Sequence, residues 1–230
     1  MTKGEKQRQE MAAHGPTIYH YTSALYTNQI WMAGYLMLPG LRDVTYHPIF
    51  GDIPAVDCSA FGHLPLIWFT TNRNIPRCLR SYMLMRPNDG SPALSVRAPA
   101  LVVDAFCYMR IALGFHAKEI GAVPWPEHPS YDTDEGRGFA ETAREVGDNP
   151  DEWYVAERPV DILKATTARL PKKVMGTELI PNDGYLREVK AMVAFSQEFP
   201  GKLYIPPSLM PRELAEQLTA RLGLPSVRPN

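Results

Sequence analysis

The chain has 230 residues, 45% hydrophobic and 21% charged, with a net charge of −1, enough to bury about three quarters of the unfolded surface in one mixed domain. The near-neutral balance excludes a global basic field for nucleic acid. The three cysteines, Cys58, Cys78 and Cys107, are too few and too widely spaced for a disulfide framework or a Cys-x-x-Cys centre.

The first fifteen residues are polar, with neither an apolar face nor a signal core, and read as an N-terminal arm (1–15), flexible or helical. No run of about 18 apolar residues follows, so a soluble, cytoplasmic protein without membrane contact is expected. The run "TIYHYTS" predicts a strand over 17–21, with Ile18 and His20 on one side and Tyr19 and Tyr21 on the other. Thr22 or Ser23 then caps a helix whose face carries Tyr26, Ile30 and Ala33, and Gly34 stops it. Residues 40–64 read as a long loop, and "LPLIWFTTN" (64–72) as the clearest buried strand. A short helix in "NIPRCLRSYMLM", a turn at "PNDGSP" and a strand at "FCYMRIAL" (106–113) come next.

Residues 136–147 predict a helix with Phe139, Ala143 and Val146 on one face. "WYVAERPV" (153–160) predicts a strand that Pro159 places at a sheet margin. A helix over 185–199 carries Leu186, Val189 and Val193. A last one starts at Pro211 with Leu214, Leu218 and Leu222 as its stripe. Strands and helices interspersed without strict alternation predict an α+β domain over 16–200, with a helical extension, 201–230, packed on it.

Four elements carry candidate chemistry. The imidazole of His20 serves either nearby backbone groups or a ribose hydroxyl. Thr70 and Thr71 are either ordinary β-branched strand residues or hydroxyls lining a site. Glu152 and Glu157 flank "WYVA". Glu157, on the face of Trp153 and Val155, is either partly desolvated or a surface carboxylate beside Arg158. Arg110, a charge inside an apolar run, either faces solvent or pairs with a carboxylate or phosphate. Asp57, Cys58, His63 and His47 have irregular spacing, so no metal is expected. Arg73, Arg77, Arg80 and Arg86, interspersed with Tyr82, form either a solvated face or a local contact for phosphates.

A strand ending His-Tyr-Thr, a helix ending at Gly34, a strand at Leu36, then "IWFTTN" and a late strand bearing Glu resembles the ADP-ribosyltransferase superfamily. The opening "IYHYTS…I…GYL" is most similar to the branch with DNA-targeting ADP-ribosyltransferase toxins and related phage and bacterial proteins. The resemblance implies a split, mixed β-sheet core with flanking helices. It implies NAD as substrate, no metal, and a protein or nucleic-acid acceptor. His20 would bind the adenosine-side ribose, and Tyr21 and Thr22 the nicotinamide end. Thr70 with Thr71 would brace the catalytic acid, Glu157 or else Glu152, and His20 and Arg110 would clamp the dinucleotide. A catalytically inactive nucleotide- or protein-binding module of the same fold is the alternative. An interaction protein with no small-molecule site is a third.

Overall fold

The computed structural model describes residues 3–23, 30, 33–36, 38, 44–47, 51–54, 66–85, 94–97, 110–172 and 178–199. The predicted C-terminal helix and extension (201–230), Tyr26, Arg86, Cys107 and the group Asp57, Cys58 and His63 lie outside them.

A seven-stranded sheet forms the centre of the fold. In chain order its strands are β1 (Thr17–Ser23), β5 (Ile67–Thr70), β8 (Arg110–His116), β9 (Val123–Pro124), β10 (Trp153–Ala156), β12 (Thr167–Pro171) and β13 (Leu179–Pro181). Across the sheet the order is β13-β12-β8-β1-β5-β10-β9. Each pairing recorded for these strands is antiparallel. The α+β class is therefore observed, with no parallel pair among the described residues to make the sheet mixed.

Three shorter ribbons accompany it: β2 (Tyr35–Leu36) pairs with β11 (Val160–Asp161), β3 (Val44–His47) with β4 (Gly51–Pro54), and β6 (Tyr82–Met85) with β7 (Leu94–Arg97). The β3–β4 hairpin occupies part of what the sequence presents as a loop. The predicted short helix contracts to Cys78–Ser81 before β6.

β1 runs two residues further than its sequence suggests, because Thr22 and Ser23 pair with Ile111 and Arg110 of β8. Those ladder bonds outweigh the preference of a hydroxyl residue for a helix cap. β10 ends at Ala156, and the chain bends through Glu157 and Arg158 before β11.

Alternation sorts the side chains onto two faces. One face carries Ile18, Ile67, Phe69, Ile111, Leu113 and Phe115. Against it packs the helix Asp183–Glu198, which buries Leu186, Val189 and Val193. Each such burial contributes about 1.5–3 kcal/mol before ordering costs. Asn182 caps this helix by accepting from the Tyr185 amide.

The other face carries Leu66, Trp153 and Val155, covered by Trp125 and by Ala143 of the helix Asp134–Glu145. Thr133 caps that helix through the Gly136 amide. Gly136 has no side chain because the Ser130 carbonyl occupies the place of its Cβ. Gly147, at φ +83°, supplies the left-handed turn that follows. The same sheet face continues past Tyr19 and Ala112 to Leu179, with Ile75 folded over it.

The N-terminal segment is helical over Lys3–His14. Its end is held to the 3-10 turn Ala117–Ile120 by His14 on Glu119 (2.8 Å) and by Lys118 Nζ donating to the Ala12 carbonyl. No helix among the described residues is long and apolar enough to cross a membrane.

Candidate functional site

His20 lies in the middle of β1, where that strand leaves β5. The two strands meet at Tyr19–Thr70. Beyond that pair the imidazole Nδ1 reaches the Trp68 carbonyl at 3.0 Å. A carbonyl only accepts, so Nδ1 carries the proton and Nε2 presents a lone pair. The ring lies edge-on to Phe69, centroids 5.7 Å apart. Burial lowers the imidazole pKa and the Trp68 bond only partly offsets this, so His20 is neutral at physiological pH.

Register decides which candidates share this face. Thr70 stands opposite Tyr19 and Trp153, so it points away from the His20 side. It is buried, and its hydroxyl accepts from the Asn72 amide. Tyr21 also points away from His20 and donates to the Asn72 carbonyl at 2.8 Å. Burial pushes its phenol well above the usual tyrosine range, with Arg169 opposing the shift.

Thr22, by the same alternation, shares the His20 side, and Thr71 follows the last paired residue of β5. The Thr71 amide donates to the Glu152 carbonyl at 2.9 Å. That bond seats half-buried Glu152, the last residue of the 3-10 turn Pro150–Glu152, beside the end of β5. Arg110 is located by its backbone pairing with Ser23.

Glu157 is elsewhere. It follows β10 at the end away from Thr70, about 13 Å along the strand from Trp153. Its side chain is 70% exposed and bonded to His128 Nε2 at 2.9 Å. Of the two readings of Glu157, the surface carboxylate is the one observed: Val155 and Trp153 are buried, but the chain bends out of the sheet before Glu157.

His128 is the residue that sequence reasoning passed over. It is buried, stacked on Trp125 with centroids 5.6 Å apart, and its Nδ1 accepts from the Ser130 amide. The proton therefore sits on Nε2 and is donated to Glu157. The signal was present: prolines 124, 126 and 129 surround this histidine and start the 3-10 turns Trp125–Glu127 and Pro129–Asp132 that position it.

His20 and Thr22 thus share one face of β1, Thr70 and Tyr21 belong to the opposite face, Thr71 and Glu152 are tied by a backbone bond at the end of β5, and Glu157 belongs to the His128 corner. His20 offers an imidazole acceptor, Thr22 and Thr71 offer hydroxyls, and Glu152 offers a carboxylate. Among the described residues no cluster of three His, Cys, Asp or Glu side chains is arranged to hold a metal ion. Protein-family models, characterised proteins and solved structures were all compared with the chain, and none matches.

Proposed function

We propose that the chain is an NAD-dependent ADP-ribosyltransferase acting on a macromolecular acceptor, protein or nucleic acid, with an ADP-ribosyltransferase-like core and Glu152 as its catalytic acid residue. The observation that carries this reading is the tautomer of His20. Its Nδ1 proton is committed to the Trp68 carbonyl, leaving an Nε2 lone pair suited to a ribose hydroxyl. The Thr71 amide, bonded to the Glu152 carbonyl at 2.9 Å, supports the choice of Glu152 by tying its backbone to the end of β5.

In the reaction the C1′–N bond to nicotinamide breaks, and nicotinamide leaves with the electron pair. An acceptor nucleophile then bonds to C1′ and gives up its proton. The ribose passes through an oxocarbenium-like state. A carboxylate held near the ribose 2′-hydroxyl stabilises the developing positive charge. The Thr71–Glu152 backbone bond fixes the root of that carboxylate, so little reorganisation is required as charge develops. His20 orients the other end of the dinucleotide.

The test is incubation of the full chain with labelled NAD⁺ and cell extract, following nicotinamide release and label entering protein, DNA or RNA. E152Q is expected to lower transfer by about 10²–10³, and E157Q to leave it within a few-fold of wild type. Full activity in E152Q would overturn the assignment. A thermal shift with NAD⁺ but no nicotinamide release identifies a binding module instead.

A further inference from the structure

The sheet face opposite His20 holds a cation that the proposed transfer does not use. Arg169 of β12 pairs with Ala112 of β8, and Ala112 pairs with Tyr21 of β1. The three side chains therefore stand in one row on one face. Around them lie Tyr19, Ile75 and Leu179, all buried. Arg169 is half-buried, and its Nη2 donates to the Leu179 carbonyl. Its Nε is enclosed and meets no acceptor. No carboxylate among the described residues pairs with it. The nearby Tyr21 phenol stays neutral and gives its proton to Asn72.

A guanidinium cannot shed its charge, and a partly buried cation without a counter-charge is unfavourable. The fork geometry of arginine matches the oxygens of a phosphate, to which it donates two parallel bonds. Ala112, which stands between Arg169 and Tyr21, carries only a methyl group and brings no polar partner to the guanidinium.

We propose that this row is an oxyanion site, with Arg169 as its ligand and a phosphate group, free or carried on a larger molecule, as its occupant. The site stands on the sheet face away from His20, so it is independent of the transferase reading. No covalent step is involved.

Inorganic phosphate and phenyl phosphate are each titrated into the full chain at constant ionic strength balanced with sodium chloride, and Tm is followed. A saturable rise in Tm is expected for wild type. R169M is expected to abolish it. If R169M does not fold, R169K carries the test: it keeps the charge but lacks the fork, and its half-saturation concentration is expected to rise at least tenfold. Stronger binding of phenyl phosphate assigns the carried form, and equal binding the free ion. The proposal is overturned if wild type shows no saturable rise with either probe, or if the folded variant responds at wild-type concentrations.

Discussion

Lowering the pH from about 7.5 to about 5.5 protonates an imidazole in an unfolded chain, whose pKa is near 6.5. His20 resists this, because burial against Phe69 holds its folded pKa below 6.5. Over this interval the unfolded state binds more protons than the folded one, so stability is complete above pH 6.5 and falls as the pH drops through it. The largest loss available is about 1.4 kcal/mol, reached if the folded ring stays neutral throughout. Asparagine isolates the effect, since its Nδ2 can replace the histidine Nδ1 at the Trp68 carbonyl and does not titrate. Urea unfolding of wild type and H20N at both pH values gives four free energies. Wild type is expected to lose up to about 1.4 kcal/mol more than H20N on acidification, with contributions of the other titrating groups cancelling in the difference. Parallel losses in the two proteins would refute the neutral, carbonyl-bound imidazole, and with it the acceptor role assigned to Nε2.

Gly114→Ala would place a Cβ 2.4 Å from Thr167 Cγ2 and 3.1 Å from the Tyr19 ring. A stability loss of about 1–3 kcal/mol is expected, and adding Thr167→Ser, which removes that methyl, should recover part of it in a double-mutant cycle by thermal or urea unfolding. His128→Ala removes a buried ring stacked on Trp125 together with its bonds to Ser130 and Glu157. A loss of roughly 2–4 kcal/mol in urea unfolding is expected, whereas E157Q, whose side chain is mostly exposed, should change stability by less than about 1 kcal/mol.

The parts of the fold that depend on local periodicity were legible in the sequence. Leu186, Val189 and Val193 do form the buried stripe of a helix, and Phe139 and Ala143 do pack inward. Ile18 and Tyr19 do go to opposite cores. The parts that depend on partners were not. That Thr70 faces away from His20 turns on a register of one residue between β1 and β5, and a single step reverses every side chain. The exposure of Glu157 turns on where β10 stops: the strand ends at Ala156, and the chain next pairs with β2 as β11. The tie between His128 and Glu157 spans 29 positions, beyond what local patterning conveys.

Both borders of the large sheet end in proline: Pro124 closes β9 on one side and Pro181 closes β13 on the other. A proline has no amide hydrogen to offer an incoming strand. A second polypeptide laid along either margin therefore finds no backbone donor at Pro124 or at Pro181.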